Sequence, residues 1–150
     1  MTTYQTILAA VDGSDEAKCA LRKAIDMAAK HSARLIIAHV IDTRTSTAIN
    51  YYDRYISERA EEQAEKLLLN YKEEAARAGL KSVTTVIEHG SPRTRITNVI
   101  SKEYEADVIV TGATGLNAVG RLLIGSVSEA IVRHARCDVL IVRKDQKHVE

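Results

Sequence analysis

Four of the chain's seven glycines fall within residues 112 to 126, as Gly112, Gly115, Gly120 and Gly125, and Ser126 follows directly. Glycines at this density let the backbone turn freely and let a ligand approach the main chain without meeting a Cβ. The segment follows a short apolar run, Asp107 to Thr111, and precedes a helical pattern, Ser126 to His134. Strand, glycine-rich loop and helix N-terminus together present backbone N–H groups and a positive dipole end, which is chemistry suited to a phosphate. The hydroxyls of Ser126 and Ser128 can each add a donor, and Arg121 can either reach a phosphate or stand as a solvated loop arginine, the reading favoured for it. A lone pair of glycines would be read as a tight turn with a close helix–strand contact. Four glycines and two serines converging on one loop favour binding.

These residues need a scaffold, and the hydrophobic pattern supplies one. Apolar runs at Ile7 to Val11, Arg34 to Ile41, Val83 to His89, Val108 to Thr111 and Val139 to Arg143 read as strands buried on both faces. Between the first two, Asp15 to His31 carries Leu21, Ile25 and Met27 at helical spacing. Ile56, Ala60, Ala64, Leu67, Tyr71, Ala75 and Ala78 form one face of a long helix that ends at Gly79. Ser91 and Pro92 open a further helix as N-cap and first helical residue. Five strands alternating with helices in 150 residues predict one α/β domain, residues 1–150. Its five-stranded parallel sheet is doubly wound, Rossmann-like or flavodoxin-like, in the order 3-2-1-4-5. Such sheets bind ligands beyond the carboxyl ends of the strands. That rule selects Val11-Asp12-Gly13 after the first strand, Val40-Ile41-Asp42 after the second, and the glycine loop after the fourth.

The bulk numbers exclude other classes. Lys and Arg (21) nearly balance Asp and Glu (20), leaving a formal charge of +1 and no basic footprint for nucleic acid. No apolar run approaches the roughly 20 residues that span a bilayer, and the first residues lack a signal-peptide pattern. Cys19 and Cys137 are far apart and form neither a disulfide framework nor a CxxC motif, so a cytoplasmic setting is expected, with both thiols as packing residues. His39 lies in an apolar strand and reads as a core histidine. His89 follows Glu88 without the clustered acids or second histidine that a metal site requires. Tyr51, Tyr52 and Tyr55 head the long helix and can either cover a bound base or staple the helix to the sheet, while Glu58, Glu61, Glu62, Glu65 and Lys66 read as its solvated face.

The spacing Gly112-x2-Gly115-x9-Gly125-Ser126 closely resembles the ATP-binding signature of the universal stress protein family. Ile7-Leu-Ala-Ala-Val-Asp-Gly-Ser resembles the family's first strand and its aspartate, Asp107-Val-Ile-Val-Thr-Gly its fourth strand, and Cys137-Asp-Val-Leu-Ile-Val its last. The resemblance covers nearly the whole chain. It implies that Ala10 and Val11 flank the base and that Asp12 contacts the ribose or a Mg ion held through the phosphates. It further implies that the backbone of Val40 pairs with the adenine edge and that Thr111, Gly112, Thr114 and Gly115 line the ribose and phosphates. Gly125, Ser126, Val127 and Ser128 would hold the phosphates. Thr114 departs from the pattern, standing where many members carry arginine or histidine. The resemblance also implies a homodimer through the last strand, Val139, Leu140, Ile141 and Val142, whose unpaired edge would otherwise be a liability.

The function expected is a regulatory module of the stress response, in which ATP, AMP or another adenine nucleotide with Mg biases the dimer or an unidentified protein partner, with no membrane or nucleic acid involved. The alternative is a slow ATPase or autokinase, or an adenylyl-transfer enzyme. The chain lacks a Walker lysine and any evident nucleophile–base pair at the loop. A phosphorelay receiver would need paired acids after the first strand and an aspartate after the third, where the chain has a lone Asp12 and Glu88-His89.

Overall fold

The computed structural model describes residues 3–43, 51–114 and 124–144. Five strands form one parallel sheet: β1 (Thr6–Ala10), β2 (Arg34–Asp42), β3 (Val83–Gly90), β4 (Val108–Gly112) and β5 (Asp138–Val142), in the order β3-β2-β1-β4-β5. Every pairing is parallel, with Ala10 opposite both Ala38 and Thr111. The expected architecture and strand order are what the chain adopts.

Strand alternation divides the core between two faces. Ile7 and Ala9 point to one face with Leu35, Ile37, Val108 and Val110. There they meet α1 (Asp15–His31) through Ala17, Ala20, Leu21, Ala24 and Ala28. The same face packs against α2 (Tyr51–Arg77) through Leu68, Tyr71 and Ala75. Leu8, Ala10, Ile36 and Ala38 point to the other face. They are covered by Ile131 of α5 (Ser126–His134), and by Ile96 and Ile100 from a helical stretch made of α3 (Pro92–Arg95), a π-helical turn (Ile96–Ile100) and α4 (Ser101–Glu103). The central strands are closed to water on both sides, which is why they read as unbroken apolar runs.

Local chemistry sets the ends of the helices. The Ser14 hydroxyl accepts the Ala17 N–H at 3.1 Å and caps α1. After α2, Gly79 adopts φ +93°, its N–H bonds to Ala76 O and the Leu80 N–H to Ala75 O, the paired bonds of a Schellman stop. Some sequence readings shift. The buried face of α2 is Ala64, Leu68, Tyr71 and Ala75; Leu67 is half-buried and Ala78 exposed. Ser91 occupies the N-cap position before Pro92 without making a side-chain cap bond. Beyond Arg95 the regular helix opens into the π turn, where Ser101 N–H bonds to Ile96 O five residues back. Apolar spacing alone does not distinguish a π turn from an α turn.

Candidate functional site

At the carboxyl ends of β1, β2 and β4 the chain brings together most of the residues singled out above. Ala10 lies between Ala38 and Thr111. Val11 leaves the sheet here, its N–H donating to Ala38 O at 2.9 Å. His39 Nδ1 lies 2.8 Å from Val11 O, so His39 is the satisfied strand histidine expected of it. Asp12 and Gly13 then turn the chain into α1. Gly13 needs its φ of +88°, a conformation that residues with a Cβ rarely adopt. The Asp12 Oδ1 accepts the Ser14 N–H at 2.9 Å, so one carboxylate oxygen fixes the turn while Oδ2 has no partner among the described residues.

Val40 gains its meaning from strand geometry. Along β2 successive residues direct their backbone groups to opposite neighbours. Leu35 N–H donates to Ser82 O on the β3 side, and Ala38 O accepts from Val11 on the β1 side. Two residues beyond Ala38, Val40 therefore turns its N–H and C=O toward the β1 side, where β1 has already ended at Ala10. Its side chain is buried. The result, among the described residues, is a backbone donor and acceptor without a partner at the sheet edge, the pattern that a planar heterocycle can pair with.

The glycine loop enters and leaves this end through tight contacts. Ser128, buried on α5, donates its hydroxyl to the Gly112 carbonyl and so joins helix to strand. Gly125 N–H donates to Ala113 O at 2.6 Å, bringing the start of α5 beside the end of β4. Gly125 is the N-cap of α5 and offers no capping side chain. The N–H groups of Ser126, Val127 and Ser128 consequently open the helix without intrahelical partners, next to the exposed Ser126 hydroxyl. Gly125 has an ordinary φ of −64°, so backbone conformation does not demand glycine there.

Gly112 has a different reason to be glycine. An added Cβ would lie 2.9 Å from the Glu16 carbonyl carbon and 3.1 Å from Ala17 N, so its missing side chain admits α1. The helix–strand contact set aside for these glycines in the sequence is real at this position. Thr114 also has a partner that sequence did not reveal. Its N–H and hydroxyl both donate to Glu16 Oε2, at 2.6 and 2.7 Å. This clamp joins residues 98 positions apart, and nothing in local spacing marks it. Where a cation would have been the familiar neighbour, the loop begins against a carboxylate. On the α2 side, the buried Tyr71 phenol has its pKa pushed up, first by burial and then by the negative charges of Asp12, Glu74 and Asp15.

Gly115, Gly120 and Arg121 lie outside the described residues, as do the side chains of Tyr51, Tyr52 and Tyr55, although α2 begins at Tyr51. Among the described residues no three His, Cys, Asp or Glu side chains cluster as a metal site. His89 lies 3.7 Å from Glu61 in an exposed pairing. No helix among them is long and apolar enough to cross a membrane.

The model of the universal stress protein family matches residues 3–143. The chain belongs to the universal stress protein family. A Staphylococcus aureus (strain USA300) protein named for the same family is 49% identical over 146 residues, which is 97% of this chain and 88% of that protein. The solved universal stress protein UspA from Lactobacillus plantarum is 30% identical, with a TM-score of 0.85 over 95% of this chain and all of the other. A universal stress protein solved in complex with cAMP is 27% identical, with a TM-score of 0.73, covering 95% of this chain and 98% of that one.

Proposed function

We propose that the chain is a nucleotide-dependent regulatory module, binding ATP, AMP or a related adenine nucleotide at the carboxyl ends of β1, β2 and β4. The observation that carries this reading is the pairing of two recognition elements at one end of the sheet. One is the free backbone edge at Val40, suited to a base. The other is the uncapped N-terminus of α5 at Gly125–Val127, suited to a phosphate. The cAMP-bound relative supports an adenine ligand at such a fold.

In this reading Ala10 and Val11 flank the base and Thr111 and Gly112 form the floor, while Gly115, outside the described residues, is assigned to the phosphates by the sequence motif alone. Thr114, held by Glu16, fixes the start of the loop instead of touching the ligand as a donor. The free Oδ2 of Asp12 faces the ribose or a Mg ion. With no cluster of metal ligands among the described residues, Mg would rest on phosphate oxygens and water, with Asp12 as its protein carboxylate. The chain then pairs with a second copy through the outer edge of β5, which ends the sheet, and the nucleotide biases that dimer or its protein partner.

Mass spectrometry of small molecules released by denaturing freshly purified protein tests the ligand directly. An adenine nucleotide at near-stoichiometric amount is expected. Stoichiometric release of a molecule without an adenine ring would overturn the reading.

A further inference from the structure

A second cavity lies at the opposite end of the sheet, where β4 and β5 begin. It has a volume of about 300 Å³ and sits between the helical stretch 92–103 and the end of α5. Three basic side chains line it, Lys102, His134 and Arg136, and no aspartate or glutamate does. Among the described residues none of the three has an ion pair. Glu103 and Glu105 flank Lys102 and Ala106 in sequence without lining the cavity, and three other acids nearby are engaged elsewhere. Asp107 Oδ2 accepts the N–H groups of Gln5 and Thr6 at 2.8 and 2.9 Å, Asp138 accepts the Tyr4 hydroxyl at 2.7 Å, and Glu129 pairs with Arg133. A chain with a formal charge of only +1 thus gathers unpaired positive charge around one cavity.

Basic residues in the last turn of a helix often complement its dipole, and that accounts for Lys102 and His134. It does not account for Arg136, which lies past the C-cap of α5 in the turn into β5. Nor does it account for Thr97. This residue lines the cavity from within the π turn, is 5% exposed, and its Oγ1 has no hydrogen-bond partner among the described residues. A threonine in a regular helix can return its hydroxyl to a carbonyl three or four residues back. Here that bond is not made, and a buried hydroxyl without a partner is unfavourable unless something else supplies one. π turns recur at functional sites for this kind of reason.

We infer that this cavity is a second ligand site, for a small phosphate-bearing anion. Arg136 and Lys102 supply the charge, and the Thr97 hydroxyl supplies a neutral donor beside Ser101, whose hydroxyl lies 3.9 Å from Cys137 Sγ. The cavity is at the lower end of the range for small-molecule sites, so it has room for inorganic phosphate or a short phosphorylated metabolite.

Titration of 15N-labelled protein with inorganic phosphate, at ionic strength held constant with chloride, tests the site residue by residue. Saturable amide shifts at 97–102 and 134–137 are expected. Arg136→Gln should weaken binding roughly tenfold, the loss of one charge-assisted contact. Thr97→Val should weaken it as well, while raising the melting temperature of the unliganded protein by removing the orphaned hydroxyl. Shifts confined to 125–128 would place phosphate in the glycine-loop site and overturn the inference, as would linear, unsaturable shifts or an Arg136→Gln protein that binds like wild type. Adenine nucleotide binding is read from residues 10–12, 40 and 125–128, so each site stands or falls separately.

Discussion

Gly112→Ala opposes two effects of similar size, and the structure decides between them. Gly112 does not adopt a positive φ, so alanine carries no backbone strain there. With free space, the substitution would stabilise by about 0.4–1 kcal/mol, because the unfolded chain loses freedom. Space is absent. The new methyl would lie 2.9 Å from the Glu16 carbonyl carbon, 3.1 Å from Ala17 N and 3.1 Å from Glu16 Cβ. Two of these three atoms are α1 backbone, so relief requires moving the first turn of the helix by several tenths of an ångström. That turn holds the Ser14 cap and the Glu16–Thr114 clamp. Overpacking of this kind costs about 1–3 kcal/mol, which outweighs the entropy gain and leaves a net loss of about 1–2 kcal/mol. For a chain of this length the melting temperature should fall by roughly 2–8 °C. Thermal unfolding followed by circular dichroism reads this directly. An unchanged or higher melting temperature would refute the claim that Gly112 is glycine because α1 approaches it.

Two further perturbations follow from named contacts. The raised pKa of the Tyr71 phenol means that folding favours its neutral form. The associated stability is complete below pH 10 and is lost as pH rises from there through the folded-state value. Tyr71→Phe should therefore flatten the fall in urea midpoint as pH rises above 10, and an unchanged slope would count against the burial of this phenol. At the sheet edge, Val142 O accepts from Ala113, so β5 directs Val142 inward and Ile141 outward. Ile141→Pro should remove an outward N–H and yield monomers by sedimentation while the sheet persists, as an edge strand tolerates proline; a dimer that survives would exclude pairing through β5.

Much of the fold was legible because its strands are buried on both faces. Ile7–Ala10 and Leu35–Ala38 are short unbroken apolar runs bounded by turn residues, and their alternation with helices points to a doubly wound parallel sheet. The ligand end followed from the same topology, since the turn at Asp12–Gly13 and the loop after β4 had to lie together. Roles within the site were less legible, because they depend on contacts between distant residues. Gly112 and Gly125 look alike in sequence, yet one admits a helix backbone and the other is an N-cap without a capping side chain. Ser128 resembles a ligand donor until its hydroxyl is found on Gly112 O, and Glu16 carries no mark of its hold on Thr114. The π turn and the orphaned Thr97 hydroxyl are likewise silent in the apolar spacing of residues 92–103.

The most direct test of the central claim is titration calorimetry of nucleotide-free protein with ATP, AMP and cAMP, for wild type and Gly125→Val. The wild type should bind at least one of them saturably at one per chain. The variant should keep its fold, because φ at Gly125 suits any residue, and lose the binding, because a branched side chain blocks approach to the start of α5. No binding by wild type at millimolar nucleotide, or equal affinity in the variant, would contradict the account.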